Sequence, residues 1–211
     1  MKDIAIYGAG GFGKEIACII KRINSVNPTW NLIGYYDDGV AKGTETTYGP
    51  VLGGIDDLNN RKEDICVAMA IGNPVIVKTI VEKIENPHVD FPNIIDPDVI
   101  FLDKDDINLG EGNVMMMKCT ISCQVRIGNF NLFNIGIGVG HDAILGNYNV
   151  FMPNVNISGG VVIGDTNLFG VKSSVLQYLK VGSNSKIGAH CLMMRNVKSD
   201  SLYFGIPGER K

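Results

Sequence analysis

His141 and Asp142 stand side by side in a chain with only three histidines. An imidazole titrates near neutrality, and a neighbouring carboxylate raises its basicity and fixes its tautomer. Such a pair suits a general base, which takes a proton as an amine or hydroxyl attacks. A solvated turn histidine accounts for the same dipeptide, and adjacency in sequence does not guarantee contact. No serine or cysteine is paired with a base as an activated nucleophile would be, so direct transfer is expected rather than a covalent intermediate.

A second constellation lies near the start, where Gly8, Gly10 and Gly13 spell GxGxxG and Asp37 and Asp38 close the next apolar run. Placed between a strand and a helix, this turn cradles a phosphate on backbone N–H groups, and a carboxylate reaches a sugar hydroxyl. Dinucleotide binding is one reading. The short α/β half offers no second mononucleotide unit, which favours a nucleotide-sugar site. Glycines needed only for tight packing are the plainer alternative. A zinc site is not expected, because His141 and His190 lie 49 residues apart and Cys119 and Cys123 form no CxxC pair. Met115, Met116 and Met117 read as core and flank filler.

The elements that must position these groups change character along the chain. Up to about Asp96, strand and helix signals alternate. Ile4 to Tyr7, Leu32 to Tyr36 and Ile65 to Ile71 read as strands. Ile16, Ile19, Ile20 and Ile23 mark one helix, and Asn73 as cap with Pro74 at the first position opens another. This alternation predicts a small parallel sheet, a Rossmann-like α/β domain over 1–96.

After Leu109 the rhythm becomes six. Every sixth residue from Leu109 to Met193 is apolar, and the series stops at Asp103 on one side and Ser199 on the other. Gly110, Gly128, Gly146, Gly164 and Gly182 recur at 18, as do Asn113, Asn131, Asn149 and Asn167, with Ser185 ending that column. A six-residue apolar period fits a parallel β-helix over 97–211, with three short faces per coil and one inward side chain on each. The recurrent glycines and asparagines are expected at corners of positive φ. Coils ~4.8 Å apart make flat walls, so several copies are expected to associate side by side.

Composition removes other classes. The net charge of −3 recruits neither nucleic acid nor an anionic membrane. MKDIAIYGAGGFG is no signal peptide, and no apolar run approaches the ~20 residues of a membrane span. Five scattered cysteines make a disulfide framework unexpected and fit a reduced cytoplasm.

The hexapeptide ladder resembles the left-handed β-helix acyltransferases. IYGAGGFGKE, GYYDD, PVLGGIDDL, AIGN, VGHDAILGN, VNISGGVVIGD and GIPGERK extend the likeness over almost the full chain. They resemble the sugar acetyltransferases that include sialic acid O-acetyltransferases and UDP-4-amino-sugar N-acetyltransferases. The resemblance implies a homotrimer, with acetyl-coenzyme A between adjacent prisms and the nucleotide of the sugar on the N-terminal domain. It implies His141 as base, Asp142 as its support and Asn134 facing the acceptor. Gly10, Gly11, Phe12, Asp37, Asp38, Gly72 and Asn73 would bind the sugar nucleotide. Val150, Gly159, Gly170, Val171 and Ala189 would line the coenzyme groove, with no metal. The chain departs from the family's usual polar residues at Phe12, Val77, Asp96 and Val150.

A positive bias over the last forty residues, in Lys172, Lys180, Lys186, Arg195, Lys198, Arg210 and Lys211, suits coenzyme A's phosphates or simply a solvated face. The expected activity is acetyl transfer to the amine of an activated sugar in surface glycan biosynthesis. Transfer to a hydroxyl of sialic acid, a catalytically silent nucleotide-sugar binding protein and, more remotely, an NAD-dependent oxidoreductase are the alternatives.

Overall fold

The computed structural model describes residues 1–211 and divides into two compact units, Met1–Pro97 and Asp98–Lys211. In the first, β1 (Lys2–Tyr7), β2 (Trp30–Tyr36), β3 (Glu45–Thr46), β4 (Gly49–Gly53), β5 (Ile65–Met69) and β6 (Val89–Asp90) form one sheet in the order β3-β4-β2-β1-β5-β6. All pairings are parallel except the β3–β4 hairpin. The central β1 is covered on both faces, which is why Ile4, Ala5 and Ile6 form an unbroken apolar run with no exposure.

Helix α1 (Gly11–Val26) buries Ile16, Ile19 and Ile20 at the predicted spacing, against β1 and β2. Helix α2 (Ile55–Asn59) follows β4, and α3 (Pro74–Lys83) opens as expected. Asn73 Oδ1 accepts from the N–H groups of Val75 and Ile76 at 3.0 and 3.4 Å. The strands β3, β4 and β6 and the helix α2 carry no clear periodicity, being only two to five residues long. Asp96 is buried and accepts two hydrogen bonds from the Arg22 guanidinium, at 2.7 and 3.1 Å, so its charge is compensated inside the unit.

The second unit is a parallel β-helix of two-residue strands. Its first face stacks Val114–Met115, Leu132–Phe133, Val150–Phe151, Leu168–Phe169 and Lys186–Ile187, successive strands pairing at 18 residues. The second face runs from Ile100–Phe101 to Leu192–Met193, its first step 20 residues and the others 18, and the third runs from Asn108–Leu109 to Lys180–Val181 in steps of 18. The inward residues are those of the six-residue series. Phe133, Phe151 and Phe169 stack through the core with ring centroids 5.0 and 4.9 Å apart.

The corners correct the sequence-based expectation. Positive φ recurs every sixth residue from Gly112 to His190, mostly at non-glycine residues such as Lys118, Asp142 and Tyr178. The recurrent glycines sit two residues earlier, and their reason is space: a Cβ on Gly128 would come 2.7 Å from the Gly146 carbonyl oxygen of the next coil. The asparagine column is buried. Asn149 Oδ1 accepts from the Asn167 N–H and Nδ2, both at 3.0 Å, while its Nδ2 donates to the Gly164 carbonyl at 2.9 Å. Asn113, Asn131 and Asn167 repeat parts of this pattern, so each coil is tied to the next through its interior.

Candidate active site

Between the second and third faces the chain turns through Gly140, His141 and Asp142, the last at φ 58°. Neighbouring coils pin this corner from both sides. Asp142 N–H donates to the Cys123 carbonyl at 3.1 Å, and the His141 carbonyl accepts from Gly160 N–H at 2.8 Å. The unusual φ aims the Asp142 carboxylate back along the chain, where Oδ2 lies 2.6 Å from His141 Nδ1. With Nδ1–H donating to the carboxylate, Nε2 is left with its lone pair. Both side chains are about half exposed, 52% and 54%, so the free nitrogen can meet a substrate.

The imidazole lies over Gly159 of the next coil. A Cβ there would come 2.5 Å from Nε2 and 2.7 Å from Cε1. Gly159 is therefore the seat of the base, a role that its 18-residue offset from His141 makes readable in the sequence. Gly159→Ala is expected to displace the ring and lower kcat about 10²-fold, with the melting temperature little changed. Steady-state rates and a thermal melt check both. On the other side of the pair, Asp142 borders an open groove of about 1090 Å³ that also carries Asp105, Asp106, Gln124 and Arg126.

The remaining expected residues do not gather on this corner. Asn134, Gly170, Val171 and Ala189 occupy the corner between the first and second faces, one face away from His141. Seven residues of separation had placed Asn134 on one stretch of coil with His141, but a face and a turn intervene. The Asn134 side-chain oxygen accepts from the Ile135 N–H at 2.7 Å. Val150 points off the first face and is buried, at 2% exposure, so it offers no open surface in this chain. The basic residues of the last forty also disperse. Lys180 and Lys186 extend different faces, Lys172 sits on the Asn134 corner, Arg210 lies in the terminal hairpin, and Arg195 continues the His141 corner. Among all residues, no group of three His, Cys, Asp or Glu side chains could hold a metal ion.

In the N-terminal unit, the glycine turn joins β1 to α1. Gly8 has φ 114°, and a Cβ there would lie 2.8 Å from the Ala70 carbonyl oxygen. Gly10, Gly11 and Gly72 have open space in front of them, Phe12 is half-buried, and Asn73 spends its side chain capping α3. The two aspartates brace the loop. Asp37 Oδ2 accepts from the Ala9 N–H at 2.8 Å, and Asp38 accepts from the Tyr7 hydroxyl at 2.6 Å and the Ile55 N–H at 2.8 Å. Their carboxylates were expected to meet a sugar; within the chain they shape the turn.

Burial, and then the Asp38 hydrogen bond, push the Tyr7 phenol above its ordinary value. The folded state thus holds this proton more tightly, so the contribution is present below pH ~10 and is lost as pH rises further. Tyr7→Phe is expected to cost about 1–3 kcal/mol at pH 8 and to flatten the alkaline fall in stability. Urea unfolding at pH 8 and above pH 10 measures both.

Coils of this kind following an α/β domain define a class, the left-handed parallel β-helix with an N-terminal α/β domain. Residues 3–84 match the PglD N-terminal domain family. Over the whole chain the fold is that of the acetyltransferase domain of PglB from Neisseria gonorrhoeae FA1090, with TM-score 0.89, 23% identity and complete coverage of both chains. PerB from Caulobacter crescentus, solved with CoA and GDP-perosamine, matches at TM-score 0.85 and 23% identity, covering 100% of this chain and 98% of that one. WeeI from Acinetobacter baumannii AYE matches at TM-score 0.88 and 25% identity over the full length of both. No curated protein matches the chain by sequence. The sequence-level resemblance is borne out in the N-terminal domain and in the fold.

Proposed function

We propose that the protein is an acetyl-CoA-dependent acetyltransferase that acylates the amino group of a nucleotide-activated sugar. The observation that carries this reading is the 2.6 Å contact between His141 Nδ1 and Asp142, which leaves Nε2 as a base at an open corner. Two fold relatives support the chemistry: PerB holds CoA together with GDP-perosamine, and the PglB domain is an acetyltransferase. The acceptor nitrogen attacks the thioester carbonyl while His141 Nε2 takes its proton. Backbone N–H groups hold the tetrahedral oxyanion. The C–S bond then breaks, and the imidazolium, steadied by Asp142, returns the proton to the departing thiolate of coenzyme A. The open Gly10–Gly11 turn at the start of α1 receives the nucleotide phosphates.

A homotrimer belongs to this reading. Asn134, Gly170, Val171 and Ala189 lie on a different corner from His141, so side-by-side copies bring one chain's acceptor and coenzyme residues to the base of its neighbour. A cytoplasmic place in surface glycan assembly, where sugar nucleotides and acetyl-CoA are both present, completes the proposal. Thiol release from acetyl-CoA across UDP-, GDP- and dTDP-linked amino sugars and sialic acids tests it. Release with an amino-sugar nucleotide is expected; release only with sialic acids would replace it with O-acetylation, and CoA binding without turnover would replace it with a binding protein.

A further inference from the structure

The first coil of the second unit is built differently from those above it. Six residues separate its second-face strand, Ile100–Phe101, from its third-face strand, Asn108–Leu109, whereas four join the same faces in each of the next four coils. The longer corner folds into a 3-10 turn over Lys104–Asp106. It supplies the lower wall of the open groove that Asp142 borders. Three successive coils of this one unit line that groove: Asp105 and Asp106 from the lowest, Gln124 and Arg126 from the next, and Asp142 with Ile144 from the coil that carries the base.

Arg126 is the only cation among the lining side chains. It is exposed and lies directly beneath Ile144 in the third-face ladder. One coil step of ~4.8 Å and two residues of strand at ~3.3 Å put its Cα within about 8 Å of the Asp142 Cα. Its backbone is fixed, because the Arg126 N–H donates to the Ala143 carbonyl at 2.9 Å. Arg22 and Arg61 have carboxylate partners, at 2.7 and 3.8 Å, whereas Arg126 has none, although three carboxylates line the same groove. All five of its N–H groups are thus left for a ligand. The carboxylates repel an anion everywhere else along the groove and accept from hydroxyl or ammonium groups. Between them and the guanidinium, Ile144 offers an apolar patch, 42% exposed. A matching ligand carries an anion at one end, an apolar ring face in the middle and hydrogen-bond donors at the other. A sugar with a phosphate on one side of its ring and an amine on the other has this order.

We propose that Arg126 selects a phosphorylated acceptor: it grips the phosphate bonded to the sugar, which lays the ring against Ile144 and brings the amine to His141. The inference rests on the acetyltransferase reading and deepens it by naming the group that the acceptor must carry. A guanidinium binds phosphate through paired, charge-assisted hydrogen bonds, which a lysine supplies only in part.

Steady-state kinetics of the full chain with three acceptors test it: a nucleotide-linked amino sugar, the same amino sugar as its 1-phosphate, and the free amino sugar. Arg126→Gln is expected to raise KM for both phosphorylated acceptors about 10- to 100-fold, with kcat and the KM for acetyl-CoA little changed. The salt dependence of KM for the sugar nucleotide should flatten in the same variant. Arg126→Lys should recover part of the loss, and the free sugar should react equally slowly with every variant. Because Arg126 is exposed and unpaired, the melting temperature should not move. An unchanged KM for the phosphorylated acceptors, a rise confined to acetyl-CoA, or an equal loss with the free sugar overturns the assignment and leaves the acetyltransferase reading intact. A wild-type chain that turns over no nucleotide-linked amino sugar removes both.

Discussion

Replacing His141 by alanine is expected to lower kcat about 10²- to 10⁴-fold, the range a positioned general base supplies. The side chain is half exposed, bonds only to Asp142, and rests on a glycine, so its loss opens no cavity. Stability and oligomeric state should therefore match the wild type, and KM for both substrates should move little, since the base acts mainly in the transition state. A variant that keeps its rate would show that the proton leaves by another route, and His141 would revert to a turn histidine. Steady-state kinetics beside a thermal melt separates these outcomes.

The second large effect concerns the scaffold. Asn149→Ala is expected to cost about 3–5 kcal/mol, a large share of a typical folding free energy of about 5–15 kcal/mol. The side chain is fully buried, and its removal orphans the Asn167 N–H and the Gly164 carbonyl in the interior, each worth about 1–3 kcal/mol. The Asn167 bond is buried between stacked coils and the Gly164 bond partly so. Asn147, two residues earlier, makes the same kind of rung-to-rung bond to the Asn129 N–H at 2.8 Å, but on the outside of the corner. Water substitutes there, so Asn147→Ala should cost under about 1 kcal/mol. Urea midpoints of the two variants check the contrast, and equal effects would remove the interior ladder from the account.

The period of six was readable because one residue in each strand must face the core, and the register of 18 followed from three faces per coil. Helix α3 was readable for a local reason, the cap-and-proline pair at Asn73 and Pro74. The corners were not. Their left-handed residues include Lys118, Phe130 and Tyr148, types that carry no conformational signature, while the recurrent glycine column answers to a neighbouring coil 18 residues away. Two aspartates after β2 suggested a ligand because carboxylates bind sugars. In the fold, Ala9, Tyr7 and Ile55 donate to them across gaps of 28, 31 and 17 residues. Similarly, counting seven residues from Asn134 to His141 says nothing about a corner lying between them. Periodic features survive projection onto a line, and contacts between coils do not.

The chemical nature of the product tests the central claim most directly. The full-length protein is incubated with acetyl-CoA and a nucleotide-linked amino sugar, thiol release is followed, and the product is then held in mild alkali. Transfer to nitrogen predicts sugar-dependent release and an acetylated product that survives, because an amide resists conditions that cleave an ester. An alkali-labile acetyl group would move the acceptor to oxygen, and no release with any amino-sugar nucleotide would contradict the assignment of His141 and Asp142 as the base and its support.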